Sequence, residues 1–166
     1  MLRKLLTHIG LAVLFIGTVC ATSSAGTRIV GKPNTSCPNA QYTTITAAVN
    51  VAAAGDVIEI CPALYAEQLI ITKPLTLRGI SVDDTELTPP VTVKRVLVQP
   101  SPLQDLEGLP VEAVITVMNT SGVTIENLAI DASNNSVSGC TPQLADVHFF
   151  NASGSVANSA LSGAQL

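Results

Sequence analysis

Short apolar runs with a period of two dominate the chain from Asp56 onward. Apolar and polar residues alternate in these runs, and Gly, Pro, Asn, Asp and Ser separate one run from the next. This pattern is typical of β-strands that bury one face. The predicted strands are residues 57–60, 69–71, 75–77, 96–98, 114–117, 123–125 and 128–130. The sequence therefore predicts an all-β domain.

One segment before these runs has helical periodicity instead. Apolar residues recur at helical spacing within residues 44–54, and Thr44 can cap the N-terminus of the helix. Gly55 can supply the left-handed residue that often follows a helix. A helix of about three turns is marginal alone, so we expect this one to dock against the strands. Its apolar positions are Ile45, Ala48, Val49 and Ala52.

The strand pattern also repeats weakly along the chain. Ile125 matches Val156 and Ile130 matches Leu161, both at an offset of 31 residues. Leu75 and Val123 are 48 residues apart, which we interpret as two repeats of about 24. Short polar breaks rather than helix-length crossovers join the runs. The pattern therefore favours a coiled stack of strands over a sandwich, because each unit of a stack buries its apolar face against its neighbours.

Asparagines recur within this repeat. Asn127 matches Asn158 at the end of each matched strand. Asparagine tolerates left-handed backbone, so both residues are expected at bends of the chain. Two alternatives remain open: the side-chain amides form a ladder, or the two turn asparagines coincide by chance.

Residues 1–25 have the features of a secretory signal peptide. A basic start precedes an apolar run over residues 9–19, which is shorter than the roughly 20 residues that a membrane-spanning helix needs. Cleavage is predicted after Ala25, with Ala21 as the second choice of site. Lipidation at Cys20 and retention of the signal as an anchor also stay open. We expect the mature protein to be secreted, periplasmic or on the cell surface.

The mature chain, residues 26–166, is predicted to form one domain of low charge. The full chain of 166 residues is 47% hydrophobic, 12% charged and 3% aromatic, with a net charge of −4. An acidic chain without a basic cluster argues against nucleic acid as a partner. It argues equally against a membrane surface as a partner once the signal is cleaved. The sequence predicts no metal and no other cofactor.

Three cysteines remain after cleavage: Cys37, Cys61 and Cys140. In an oxidising compartment we predict a disulfide between Cys37 and Cys61, which closes a loop of about 24 residues and contributes about 3 kcal/mol in the chain-entropy model. Cys140 would be left single. The alternative is that all three are buried thiols.

Four motifs in order resemble the opening of the right-handed parallel β-helix proteins of the pectate lyase-like superfamily. They are a TI-x-AA-V helix, a GD-x-I strand, an x-Y-x-E turn and a KPLTL-x-G strand. The match covers residues 42–79, and residues 121–130 are similar to a generic β-helix turn. The resemblance implies a right-handed parallel β-helix of about three to four turns with an N-terminal capping α-helix.

The same resemblance gives individual residues an expected role. Ile45, Val49 and Ala52 would form the buried face of the cap, and the cysteine pair would tie the segment before the helix to the first strand. Tyr65 and Glu67 occupy the G-x-Y-x-E position of the pectin methylesterases, where Ala63 replaces the usual glycine. They are the candidate binding residues. The alternative is structural, with Tyr65 packed at a turn and Glu67 in solvent.

The sequence contains no complete catalytic site. Pectin methylesterases need paired glutamines and two aspartates, and Gln99, Gln104 and Gln143 do not lie in matching contexts. The acidic residues at 83–86 are interpreted as a surface loop rather than a calcium site. His148 alternates with apolar neighbours and is interpreted as a structural histidine on a strand.

These observations predict an exported β-helix repeat module without a complete catalytic site, which binds carbohydrate or a cell-surface partner. For the chain as it stands, we expect a binding module rather than an enzyme. The alternative is that the chain is a truncated, N-terminal part of a polysaccharide lyase or pectin esterase-like enzyme, because no capping segment follows the repeat that ends at Leu161. A third possibility is a structural repeat protein with no ligand.

Overall fold

The computed structural model describes residues 24–33, 37–80, 97–99, 111–133, 135 and 142–164, with residues 97–99 described by their backbone alone. The predictions for the signal peptide before residue 24, for the acidic loop at 83–86 and for Cys140 lie outside these residues. In the described ranges the chain is strand-rich and has one short helix.

Every predicted strand overlaps a strand of the structure. The helix is α1 (Ile45–Val51). The strands are β1 (Thr27–Val30), β2 (Val57–Ile60), β3 (Leu64–Ala66), β4 (Leu69–Ile71), β5 (Thr76–Gly79), β6 (Leu97–Gln99), β7 (Val111–Met118), β8 (Val123–Glu126), β9 (Ala129–Asp131), β10 (Gln143–Phe150), β11 (Gly154–Ala157) and β12 (Ala160–Ser162). The predicted runs do not include β1, β3, β10, β11 or β12, although the repeat matches Val156 and Leu161 to strand positions and His148 is expected on a strand.

The strands form three sheets in which every described pair is parallel. Sheet A has the order β1-β2-β5-β8-β11, sheet B has β12-β9-β6-β3, and sheet C has β10-β7-β4. β1 and β2 both lie in sheet A, and from β2 onward successive strands visit the three sheets in turn, so that every third strand returns to the same sheet. A sandwich is built from antiparallel strands, so this arrangement excludes that alternative.

The register of sheet A confirms the predicted repeat. Ile125 pairs with Val156, and in sheet B Leu161 pairs with Ile130. The interpretation of the 48-residue spacing is wrong, however. Leu77 pairs directly with Ile125, so β5 and β8 are neighbours and the 48 residues that separate their paired positions are one repeat. The strands are short, and the additional length lies in the connection between them.

Asparagines turn the chain at the ends of the later strands. Asn119, Asn127, Asn151 and Asn158 have positive φ angles of 53°, 57°, 45° and 48°. Asparagine adopts this left-handed backbone more readily than most residues. Among the described contacts, the amide–amide hydrogen bond joins Asn151 Nδ2 to Asn119 Oδ1 at 2.9 Å, rather than Asn127 to Asn158. The sequence therefore predicts the bends at Asn127 and Asn158 correctly, and the amide–amide contact forms at the other pair of bends, Asn119 and Asn151.

Aliphatic side chains fill the space between the sheets. Ile58, Leu77 and Ile125 follow one another across sheet A and are fully buried. The remaining fully buried large side chains are Ile45, Ile60, Tyr65, Leu69, Ile71, Leu75, Ile115, Leu128 and Ile130. A core of stacked aliphatic residues explains how a chain with few aromatic residues buries enough apolar surface to fold.

Helix α1 covers one end of this core. It contacts β1, β2 and β4, and it buries Ile45, Ala48 and Val49 against them. Thr44 is the N-cap, as predicted, and its hydroxyl accepts a hydrogen bond from Ala47 N at 3.3 Å. The helix ends at Val51, earlier than the predicted residue 54, because Ala52 is extended.

The C-terminal end of α1 is held by the strand motif that follows it. Lys73 Nζ donates to the Ala52 carbonyl at 2.7 Å and to the Asn50 carbonyl at 3.3 Å. A cation at this end of a helix satisfies carbonyls that have no partner within the helix. Gly55 has a φ of 89° and makes the turn from the helix to β2. No helix in the described part of the chain is long and apolar enough to cross a bilayer.

Candidate functional site

Tyr65, one of the two candidate binding residues, is fully buried on β3. Its hydroxyl donates to the Cys61 carbonyl at 2.9 Å, and Lys32 Nζ lies 5.2 Å from the centre of its ring. Burial, and then the charge of Glu67, raise the pKa of Tyr65 to about 12. The phenol therefore stays protonated at neutral pH and fixes the turn between β2 and β3.

Glu67, the other candidate, binds the start of helix α1. Its carboxylate accepts from Ile45 N at 2.9 Å, from Thr46 N at 2.8 Å and from Thr46 Oγ1 at 2.6 Å. These amides belong to the first turn of α1, where backbone N–H groups have no partner within the helix. A carboxylate at this position also complements the helix dipole. Glu67 thus connects the strand turn to the cap.

The predicted disulfide between Cys37 and Cys61 is confirmed. The two Cα atoms are 6.3 Å apart, and the bond spans 24 residues of sequence. Cys61 follows β2 directly, and its amide donates to the Val30 carbonyl at 2.8 Å. The bridge therefore ties the segment before α1 to the end of β2, as the family resemblance implied.

Charged side chains on the outer side of sheet A pair with one another. Arg78 lies between Glu59 and Glu126 on adjacent strands, at 3.8 Å and 2.6 Å respectively. The hydrogen bond from Glu126 raises the pKa of the Arg78 guanidinium above its usual range. Because Arg78 is already shared by two carboxylates, this face stabilises the sheet and offers an anionic ligand little positive charge.

The outer side of sheet C carries a different row of residues. Ile70, Thr116 and His148 are in register across β4, β7 and β10. Leu69 and Ile71, on either side of Ile70, are buried in the core. Because side chains alternate along a strand, the row points outward. Ile70 is 43% exposed.

Two polar atoms in this row are buried without a partner. Thr116 Oγ1 and His148 Nδ1 accept and donate no hydrogen bond, and Thr116 is fully buried. An unsatisfied buried polar group costs about 1–3 kcal/mol, and because both of these atoms are buried, a molecule on the surface does not reach them. Here two such atoms lie on paired residues of neighbouring strands.

Apolar side chains continue the same surface along the strands. Met118 and Phe150 form the pair two residues further on, also pointing outward, and Phe150 is 40% exposed. The Phe150 ring centre lies 6.3 Å from that of His148, and the two rings are tilted by 50°. The five residues Ile70, Thr116, Met118, His148 and Phe150 are named here the sheet C face. It combines an exposed aromatic ring with two unsatisfied polar atoms.

Sequence reasoning placed His148 on a strand correctly but did not find this face. The alternation of Val147, His148, Phe149 and Phe150 already puts His148 and Phe150 on one side of a strand. The contribution of Thr116 could not be inferred, because it depends on the register of β10 against β7.

The sheet C face has binding chemistry rather than a recognisable catalytic set. A half-buried histidine can hydrogen-bond a ligand, and an exposed phenyl ring can pack against it. Within the described ranges no three His, Cys, Asp or Glu side chains are placed to hold a metal ion. No model of a known protein family matches this chain, and no curated protein shows a significant match to it.

Proposed function

We propose that this chain is an exported, non-catalytic module that binds an extended carbohydrate on the sheet C face. The observation that carries the proposal is the exposed ring of Phe150 on the outer side of sheet C, beside the half-buried ring of His148. A sugar ring offers a C–H face for the phenyl ring and hydroxyl groups for the imidazole. Carbohydrate is therefore a ligand class that suits this face.

The architecture in this proposal is a right-handed parallel β-helix of the pectate lyase-like type. Three findings support it: the strands are parallel, they visit three sheets in turn, and α1 covers one end. The resembling motifs also fall where such a fold needs them. The GD-x-I and KPLTL segments form β2 and β5, which pair directly in sheet A. In this fold β2 to β12 make between three and four turns.

The shape and charge of the face favour a linear, neutral polymer. Neighbouring strands in a sheet are about 4.8 Å apart, so the three strands of sheet C present their rows at a regular spacing. A chain with a net charge of −4 repels a polyanion at long range. A neutral polysaccharide can lie along the row without that cost.

We infer that a protein with this function is exported from the cytoplasm. The support for export is the disulfide between Cys37 and Cys61, since such bonds persist mainly in oxidising compartments. An extracellular or periplasmic protein also meets polysaccharides directly.

Affinity electrophoresis through gels that contain neutral or acidic polysaccharides tests the binding proposal. We expect a neutral polymer to retard the chain and Phe150→Ala to weaken binding about tenfold, a loss of about 1.4 kcal/mol. Leu64→Ala is the matched control, because Leu64 is an apolar residue on sheet B that is 54% exposed, against 40% for Phe150. No retardation by any polymer, or equal effects of the two variants, would refute the proposal.

An activity assay distinguishes the alternative, the N-terminal part of a polysaccharide lyase or pectin esterase-like enzyme. The chain is incubated with pectin and polyuronates, with and without calcium. Turnover that depends on Glu67 or Tyr65 would replace the binding proposal by the enzymatic one. We expect no turnover.

A further inference from the structure

We propose that removal of the signal peptide after Ala25 completes the fold, because the α-amino group released on Gly26 forms an ion pair with the buried carboxylate of Asp56. The inference rests on export, as proposed above, and is independent of carbohydrate binding. It assigns a role to Gly26 and Asp56, two residues outside the sheet C face.

The position of the Gly26 nitrogen is the main observation. Gly26 N donates to Asp56 Oδ1 at 2.7 Å, and Asp56 is only 2% exposed. The same carboxylate accepts from Ala53 N at 2.9 Å and from Arg28 Nη2 at 2.9 Å. The Asp56 carboxylate therefore accepts hydrogen bonds from β1, from the turn after α1 and from the predicted new N-terminus.

The predicted cleavage site lies between exposed residues and the edge of sheet A. Ser24 and Ala25 are exposed, whereas Gly26 is half-buried and its carbonyl accepts from Val57 N at 2.9 Å. The Ala25–Gly26 bond thus joins an accessible segment to the edge of sheet A. A side chain at position 26 would be crowded, since an added Cβ would lie 3.1 Å from Asp56 Oδ1. Glycine is the residue that lets the nitrogen approach the carboxylate this closely.

Hydrolysis changes the chemistry of this nitrogen. Signal peptidase adds water across the Ala25–Gly26 bond, which leaves a carboxylate on Ala25 and an amine on Gly26. The amine takes up a proton at neutral pH, because the ordinary pKa of an α-amino group is about 7.7–8.0. One amide N–H is then replaced by an ammonium group with three, and hydrogen bonds between charged partners are stronger than those of an amide.

The charges around the new terminus favour this ion pair. Backbone hydrogen bonds from Ala53 and Gly26, and then the contact with Arg28, hold the pKa of Asp56 below its usual value, so it is ionised. Arg28 is the second cation, and it also donates to the Tyr42 hydroxyl at 3.4 Å. Cleavage at the alternative site, Ala21, would leave Gly26 N as an amide with no charge. The geometry therefore favours Ala25.

The first test identifies the N-terminus of the exported protein. The full chain is expressed with its own signal, and the exported product is analysed by intact mass and N-terminal sequencing. We expect it to begin at Gly26. A product that begins at Thr22, or that is not cleaved, would overturn the proposal.

The second test isolates the ion pair. The chain that begins at Gly26 is compared with one that retains Ala25, and we expect the retained residue to lower the unfolding midpoint by about 2–4 °C. Asp56→Asn should abolish this difference, whereas Glu59→Gln, the matched control on β2, should preserve it. Equal midpoints for the two wild-type chains would refute the ion pair.

If Asp56→Asn does not fold, the ion pair can be tested without a substitution. The rate at which an acylating reagent modifies the α-amino group is measured at pH 7 in both chains. An amine held protonated by Asp56 should react about tenfold more slowly than the free amine of the retained Ala25, as one unit of pKa predicts. Equal rates would show that no ion pair forms.

Discussion

Replacing Glu67 tests whether this residue is a structural cap or a ligand-binding group. Its carboxylate accepts two backbone amides and one hydroxyl from the first turn of α1, at 2.6–2.9 Å. One of these amides belongs to Ile45, which is fully buried. Alanine at position 67 would leave the three donors without this acceptor. The Thr44 hydroxyl accepts from Ala47 N and from none of these three donors in the described contacts.

The size of the effect follows from these contacts. A hydrogen bond to a charged group contributes about 1.5–3 kcal/mol when it is shielded, and a lost helix cap costs about 1 kcal/mol. Because part of the site is exposed and water replaces some of the contacts, we expect Glu67→Ala to cost about 2 kcal/mol. Glu67→Gln keeps an acceptor but loses the charge, so it should cost about 1 kcal/mol.

Urea denaturation followed by circular dichroism measures both variants. With a slope of about 2 kcal/mol/M, Glu67→Ala should lower the midpoint by about 1 M at unchanged slope. Glu59→Ala is the control: its 3.8 Å contact with Arg78 is partly exposed, and we expect less than about 0.5 kcal/mol. If Glu67→Ala left the midpoint unchanged but abolished carbohydrate binding, the capping argument would be wrong and Glu67 would contact the ligand.

Three further perturbations probe the core, the disulfide and the buried carboxylate. Ile125→Ala, on β8 between β5 and β11, should cost about 3 kcal/mol in a denaturation experiment, because the stacked core cannot close the cavity; a cost below about 1 kcal/mol would contradict this packing. Reducing the bond between Cys37 and Cys61 should lower stability by about 3 kcal/mol, and an identical thermal midpoint with and without reductant would count against it. The pKa of Asp56 is lowered in the folded state, so its contribution is present above its ordinary value of 3.8 and is lost as the pH falls through the folded value. The difference in thermal midpoint between wild type and Asp56→Asn should therefore be largest at pH 7 and shrink as the pH falls below 3.8, and a difference that did not shrink in acid would refute this sign.

The sequence predicts the fold correctly where residues in the same structural environment recur along the chain. Ile125 and Val156 occupy the same inward position on neighbouring strands, so their local sequences resemble one another and the pairing was readable. The 48-residue spacing was misjudged because a connection between strands leaves no periodic signal. Loop closure costs only about 0.6 kcal/mol for each doubling of length, so one repeat can be far longer than the next.

The sheet C face could not be predicted from the sequence for a related reason. Thr116 and His148 are neighbours only because of the register between β7 and β10, which no local sequence pattern specifies. β1 was missed because its four residues contain only two apolar side chains, and its place in sheet A depends on pairing with β2. Glu67 was recognised from its motif, but its role depends on the helix that it contacts.

The contacts that stabilise the described part of the chain are concentrated around α1 and β2, whereas sheet C extends from β4 to β10. The disulfide, the Glu67 contacts and the Asp56 contacts all hold the elements around α1 and β2. The last strands carry inward-aligned residues that are nevertheless exposed, Val156 by 36% and Leu161 by 51%. When each unit is stabilised only by its neighbours, such strands open first. A ligand that lies across the exposed side chains of Ile70 and Phe150 spans sheet C from β4, beside the helix, to β10. Because it binds only when β10 is in register, its binding would stabilise β10 against local opening.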